Sequence, residues 1–331
     1  MGERTARVAI LDDYARMALE LADWSPVQKR CDITVFDRHL SEDEAAEALA
    51  PFDVACTMRE RMAFPRSLIA RLPNLKLITI VGRSLPNLDL AAATEHHVLV
   101  AHSNFTHPRF RAVRDATPEL AWGLMIATVR NLAEEHRRMR EGGWQSTIGT
   151  TLSGKTLGLL GLGRVGSRMA GYAKAFGMPV ISWSQNLTEA AAAEVGARWV
   201  AKEALFEQSD VVSIHVVLSE RTHGLVGRPE LMSMKPTAFL VNTSRGPIVD
   251  ETALIETLRG GRIAGAGLDV FDAEPLPADH PLRHLPNVTL SPHLGYVTRE
   301  MLGAFYSDTV EAVVAWLYGT PVRIANPEAL R

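Results

Sequence analysis

The run Thr156-Leu157-Gly158-Leu159-Leu160-Gly161-Leu162-Gly163-Arg164-Val165-Gly166 decides the fold class. It opens with residues apolar enough for a buried strand, continues with glycines at G-x-G-x-x-G spacing, and leads into a helical stretch reaching Phe176. The bare spacing also describes an ordinary strand-to-helix turn, but a strand, a glycine loop and a helix in this order form a dinucleotide-binding unit. Gly161 permits the tight turn, Gly163 lets the backbone approach a pyrophosphate, and Gly166 allows the helix to pack closely on the strand. Arg164 and Val165 then open a helix whose unpaired N–H groups suit phosphate. Arg164 is a candidate phosphate partner, or an exposed arginine lying on its own helix.

On both sides of this run, short apolar segments alternate with longer amphipathic ones, the pattern of parallel sheets covered by helices in an α/β protein. Val8–Leu11, Ile33–Phe36, Val54–Cys56 and Leu77–Val81 read as strands of a first unit, and Ser41 to Glu44 reads as a capping box. A length of 331 residues, 47% of them hydrophobic, suggests two domains. Between them, His102 to Asp115 carries His107, Arg109, Arg111 and Arg114 with little periodicity. That stretch reads as a linker, either solvated or binding a second acidic group on a ligand. Thr117-Pro118 then predicts an N-cap with proline at the first helical position, and a long helix to about Arg140.

The net charge of -3 gives no electrostatic case for nucleic acid or an anionic membrane. Cys31 and Cys56 are too few for a disulfide framework and have no spacing that suggests a metal site. The N-terminal residues run into a strand without an apolar leader, and no apolar run nears the length of a membrane span. A soluble cytoplasmic protein is the expectation.

The strand Pro179–Trp183 should end in an acidic residue that bonds the adenosine ribose of NAD. Ser184 stands there instead, followed by Gln185 and Asn186. No carboxylate repels a 2′-phosphate, and no Arg or Lys follows at once to attract one, so NAD is expected with NADP left open.

Three later segments carry chemistry: Asn242-Thr243-Ser244-Arg245-Gly246-Pro247, Asp269 to Pro275, and Ser291-Pro292-His293-Leu294-Gly295. They bring an arginine, carboxylates and a histidine to the ends of consecutive strand-like runs. A guanidinium pairs with a carboxylate in two places at once and stays charged at any working pH. A histidine gives and takes a proton near neutrality. Spacing alone does not choose between Asp272 and Glu274 as its carboxylate partner.

On these motifs, most strongly from Gly154 to Gly295, the chain resembles the D-isomer-specific 2-hydroxyacid dehydrogenases, relatives of phosphoglycerate dehydrogenase, glyoxylate/hydroxypyruvate reductase and formate dehydrogenase. The resemblance implies two Rossmann-like or flavodoxin-like α/β domains with parallel sheets, the cofactor domain inserted into the substrate domain. Residues 1–103 and 296–331 would form the substrate domain, completed by a helix at about Thr298–Leu317, and residues 104–295 the NAD(P)-binding domain. It also implies a homodimer formed largely through the cofactor domain, with the helix after Thr117 taking part.

Carried over residue by residue, the resemblance makes Arg245 the group that holds the substrate carboxylate and polarises its 2-oxo group. His293 becomes the general acid/base. Glu274, chosen over Asp272 by its Glu-Pro pair, accepts the other ring N–H and stabilises the imidazolium. Asp269 would bond the nicotinamide carboxamide, with Val216 and Thr243 among the cofactor contacts. Arg59, Gly82 and Arg83 would meet the substrate. Two departures bear on substrate choice. Gly82-Arg83-Ser84-Leu85 replaces a glycine-rich loop, and His215-Val216-Val217-Leu218 stands where relatives often carry proline and threonine.

The implied reaction passes a hydride between NAD(P)(H) and C2 of a 2-hydroxy or 2-oxo acid. A nicotinamide-sensing interaction protein of the C-terminal binding protein type is the alternative, disfavoured by the short sequence after the closing helix. Formate oxidation ranks third, because the Glu274 and His293 pair argues for a substrate-side proton donor.

Overall fold

The computed structural model describes residues 5–82, 86–104, 107–111 and 113–330, Arg111 by its backbone only. Arg83 therefore lies outside the described residues. The chain divides into two compact units, one of Met1–Arg114 and Thr298–Arg331, the other of Asp115–Val297.

In the first unit, strands β1 (Ala6–Ile10), β2 (Cys31–Val35), β3 (Val54–Cys56), β4 (Leu77–Ile80) and β5 (Leu99–His102) form a parallel sheet in the order β2-β1-β3-β4-β5. That is the flavodoxin-like order. Most of these strands are apolar on both faces, as a sheet covered by helices requires. Ala9, Leu11, Ala55, Ile78 and Ile80 pack with Leu49 of the helix Glu42–Leu49 and with Leu68 and Ile69 of the helix Arg66–Ile69. The capping box is present: Glu44 accepts from the Ser41 backbone N–H at 2.8 Å, and Ser41 Oγ accepts from the Glu44 N–H at 3.4 Å. The helix Arg299–Leu317, whose N-cap Thr298 accepts from the Met301 N–H at 3.2 Å, packs against β4.

The described part of 104–114, expected in the second domain, groups with the first. Its side chains explain why. Arg109 lies 3.5 Å from the buried Asp308 and 3.7 Å from Glu311, Asp308 accepts from the Asn104 N–H at 2.6 Å, and Phe110 packs on Phe305 with ring centroids 5.7 Å apart. Arg109 Nε also donates to His107 Nδ1 at 3.0 Å. The expected linker is thus a docked segment containing the short helix Pro108–Arg111, and Arg109 is tied to the closing helix.

In the second unit, strands β6 (Leu157–Leu160), β7 (Val180–Trp183), β8 (Arg198–Trp199), β9 (Val211–Ile214), β10 (Phe239–Asn242), β11 (Gly265–Leu268) and β12 (Val288–Leu290) form a parallel sheet in the order β12-β11-β10-β9-β6-β7-β8. Alternate residues face opposite layers, as the strand period of two requires. Leu157, Leu159, Val211, Phe239 and Val241 pack with Ala121, Trp122, Met125, Met169 and Ala173 from the helices Ala116–Val129 and Arg164–Ala175. Leu160, Val212, Ile214, Leu240 and Leu268 pack with Leu205, Phe206, Leu231 and Leu254 on the other side. The chain runs outward from β6 through β7 to β8, then returns to place β9 beside β6. This reversal opens a crevice at the carboxyl ends of the strands, where open α/β sheets bind ligands.

Two local expectations need correction. The helix begins at Ala116 after Asp115, so Thr117 lies inside it, and its hydroxyl donates to the Gly295 carbonyl at 2.8 Å instead of capping. The expected long helix to Arg140 is two helices, Ala116–Val129 and Leu132–Arg140, separated at Asn131 with φ 52°. Asparagine tolerates this left-handed conformation better than most residues, and there the helical run stops.

Candidate active site

The carboxyl edge of the second sheet collects the glycine loop after β6, Ser184 after β7, His215 and Val216 after β9, Thr243 to Arg245 after β10, Asp269 after β11 and His293 beyond β12. Gly161 has φ 101°, and a Cβ there would lie 2.8 Å from the His215 carbonyl carbon and 2.9 Å from Val216 Cγ1. A side chain is excluded by both conformation and space. At Gly166 a Cβ would meet the Gly161 carbonyl oxygen at 2.2 Å, so the helix starts pressed against the turn. Gly163, by contrast, has open space where a Cβ would point, and it is exposed along with Arg164.

Ser184 is half-buried and Gln185 exposed. Thr243 is buried, and its hydroxyl has no hydrogen-bond partner among the described residues. An orphaned buried hydroxyl and a glycine loop with an open flank on one strand edge fit a polar cofactor laid across the switch point. His215 donates its backbone N–H to Leu160 at 2.8 Å and its ring Nε2 lies 2.9 Å from Ser213 Oγ. Burial pushes this imidazole down to about 3, so the ring next to the glycine loop is neutral.

Arg245 is half-buried and extended at φ -149°, its carbonyl accepting from Asn242 Nδ2 at 2.9 Å and its guanidinium donating to the Ser244 carbonyl at 2.6 Å. Behind it Gly246 is required by close approach: a Cβ would lie 2.1 Å from the Phe271 carbonyl carbon. The loop that Gly246 supports carries Glu274, which accepts from the Phe271 N–H at 3.0 Å through one oxygen and meets His293 Nδ1 at 2.6 Å through the other. Glu274 precedes a cis proline, Pro275. Asp272 turns elsewhere. Its backbone N–H lies against Glu251, and burial, reinforced by Glu251, raises its carboxyl above the usual range.

His293 has a left-handed backbone, φ 54°, and its ring stands edge to face with Tyr296 at 5.5 Å. With Nδ1 taken by Glu274, Nε2 is the atom left to exchange a proton. Asp269 is fully buried, and both its oxygens are taken by the histidine's own loop. Ser291 Oγ and the Leu294 N–H at 2.7 Å donate to one, and the Gly295 N–H at 3.0 Å donates to the other. Burial raises this carboxyl above the usual range, against the donors that favour its charged form. These loop donors on Asp269 were not legible in the sequence, because a strand-end aspartate looks the same whatever it bonds.

Residues 122–295 match the family model described as the D-isomer specific 2-hydroxyacid dehydrogenase, NAD binding domain. A glyoxylate reductase from Aeropyrum pernix is 35% identical over 98% of this chain and 97% of its own length. The chain belongs to the D-isomer specific 2-hydroxyacid dehydrogenase family. Glyoxylate/hydroxypyruvate reductase B from Serratia proteamaculans is 35% identical over 78% of this chain and 80% of its own. The crystal structure of a phosphoglycerate oxidoreductase from Vibrio cholerae superposes with a TM-score of 0.87 at 34% identity, covering 95% of this chain and 99% of that one. The second unit is accordingly the family's NAD-binding domain, and the activity is an NAD(P)-dependent 2-hydroxyacid dehydrogenase acting on CH–OH donors. Among the described residues, no helix is long and apolar enough to cross a membrane.

Proposed function

We propose that this dehydrogenase works as a reductase of small 2-oxo acids of the glyoxylate and hydroxypyruvate kind. The observation that carries the reading is the 2.6 Å pairing of His293 Nδ1 with Glu274, two strands along the sheet from Arg245. Bound NAD(P)H supplies the hydride. Arg245 pairs with the substrate carboxylate and draws charge toward the 2-oxo oxygen. His293 Nε2 gives a proton to that oxygen, and Glu274 holds the ring through its other nitrogen. In the oxidative direction the neutral ring takes the proton back. Thr243, Val216 and the loop Gly161 to Gly166 bind and orient the cofactor, with Ser184 and Gln185 at its ribose. Arg59, at φ 55° beyond β3, and Gly82, beyond β4, are assigned to substrate because both stand at carboxyl ends of their strands.

The test follows NADH and NADPH absorbance with glyoxylate, hydroxypyruvate and phenylpyruvate. Turnover with at least one acid, lost on replacing His293 with alanine while NADH still binds, is the expected result. NADH binding with no turnover on a broad acid panel would favour a nicotinamide-sensing role instead.

A homodimer is part of the proposal. The helix Leu132–Arg140 buries no residue, and with the segment after it exposes Leu132, Met139, Trp144 and Ile148, apolar surface that a second copy would cover. Light scattering on wild type and Trp144→Glu checks it, with a halved mass expected for the variant. Cytoplasmic work is in keeping with two buried free thiols, Cys31 and Cys56.

A further inference from the structure

His293 is the one proposed reacting side chain with a left-handed backbone, a conformation that holds only where the surroundings over-determine it. Its neighbours do so with a dense set of bonds. The Ser291 N–H donates to Leu268 at 2.9 Å and the His293 N–H to the Asp269 carbonyl at 2.9 Å, while Ser291 Oγ, Leu294 N–H and Gly295 N–H all converge on the Asp269 carboxylate. From the other side, Thr117 Oγ1, on the helix Ala116–Val129, holds the Gly295 carbonyl at 2.8 Å. A Cβ on Gly295 would lie 3.3 Å from Thr117 Cγ2 and 3.4 Å from Asp269 Oδ2, which leaves the loop little room between them.

We propose that Ser291 and Thr117 are positioning residues, clamping the 291–295 loop between the buried Asp269 and the helix Ala116–Val129 so that the His293 ring stays in register with Glu274. The inference rests on His293 being the proton donor proposed above. The chemistry favours a clamp over simple filling of the core, because the bonds to Asp269 all come from donors of the loop itself and the Thr117 hydroxyl donates to a carbonyl of the same loop. Asp269 also offers only acceptor atoms when charged, and three donors meet them. Neither hydroxyl touches the proton in flight. Each acts on where the ring stands, and a displacement of about 1 Å in such a group costs on the order of 100-fold in rate.

The test uses Ser291→Ala, Thr117→Val and the conservative Ser291→Thr in the full-length protein. Two readouts are taken, steady-state reduction of a 2-oxo acid and the low-field proton resonance of the His293 Nδ1–H bonded to Glu274, identified by its loss in His293→Gln. The expected result is a fall in kcat of about 10-fold to 100-fold in Ser291→Ala and Thr117→Val with KM little moved. The low-field resonance broadens in both, and Ser291→Thr restores rate and signal. An unchanged resonance and kcat in Ser291→Ala and Thr117→Val would overturn the clamp, as would the lack of any such resonance in wild type. If the resonance responds as expected but wild type reduces no 2-oxo acid, the clamp stands and the proposed reaction fails.

Discussion

Glu274 meets the Nδ1 edge of His293 at 2.6 Å, while its other oxygen accepts the Phe271 backbone N–H at 3.0 Å. The carboxylate is thus fixed by its own loop before it touches the ring, and it selects which imidazole nitrogen faces outward. The pair predicts a graded response. His293→Gln should lower kcat by roughly 100-fold to 10,000-fold, the range for loss of a general acid. Glu274→Gln keeps a hydrogen-bond acceptor but loses the charge, so a smaller loss is expected. Steady-state rates of the two variants with one 2-oxo acid measure both. Equal losses in the two variants would contradict the division of labour.

At Gly246 the expected effect is structural first and functional second. A methyl group would enter within 2.2 Å of both the carbonyl carbon and the oxygen of Phe271, backbone atoms that have no rotamer to give. Gly246→Ala should therefore destabilise the second unit by about 1–3 kcal/mol, the cost of overpacking, and push on the loop that holds Glu274. Urea unfolding gives the first quantity, and kcat measured in the absence of denaturant gives the second.

His215 predicts a specific acid sensitivity. Its folded-state value lies near 3, below the ordinary 6.5, so the unfolded chain takes up a proton that the folded one refuses. The resulting stability loss is absent above about pH 6.5 and grows as the pH falls toward 3, with a slope of about 1.4 kcal/mol per pH unit. Between pH 7 and 5, wild type should lose about 2 kcal/mol more than His215→Gln. Matched denaturation curves at the two pH values check this, and parallel losses would mean that the ring titrates normally.

The proposed place of Ser184 at the ribose makes a prediction about cofactor choice. Placing a carboxylate there, Ser184→Asp, should favour NADH over NADPH by about 10-fold or more in kcat/KM, through repulsion of the 2′-phosphate and a bond to the ribose hydroxyl. Ratios of the two cofactors, measured with one acid, decide it. An unchanged ratio would place ribose recognition elsewhere.

Much of the fold was legible because parallel strands covered on both faces must be apolar throughout, as Leu157 to Leu160 and Val211 to Ile214 are. The positions of Arg245, Asp269 and His293 at strand ends followed from the same runs. What the sequence could not show is where a polar group turns once it arrives. Thr117 looked like a cap, yet its hydroxyl bonds a carbonyl 178 residues away. Arg109 looked solvated or ligand-directed, and it is tied to Asp308. Asp269 has partners 22 to 26 residues along the chain, and no local pattern encodes such pairings. The break at Asn131 was missed because periodicity continues through it while one backbone angle does not.

The interleaved order of the two units carries a consequence for biosynthesis. The first sheet is translated early, yet the helix Arg299–Leu317 that packs on β4 and the Asn326 side chain that accepts from the Val100 N–H at 2.8 Å come only after the whole second unit. A ribosome-bound chain should therefore hold a finished cofactor domain while the first sheet is still half-covered. The late arrival of residues 298–330 would be the event that closes that sheet to premature association with other chains.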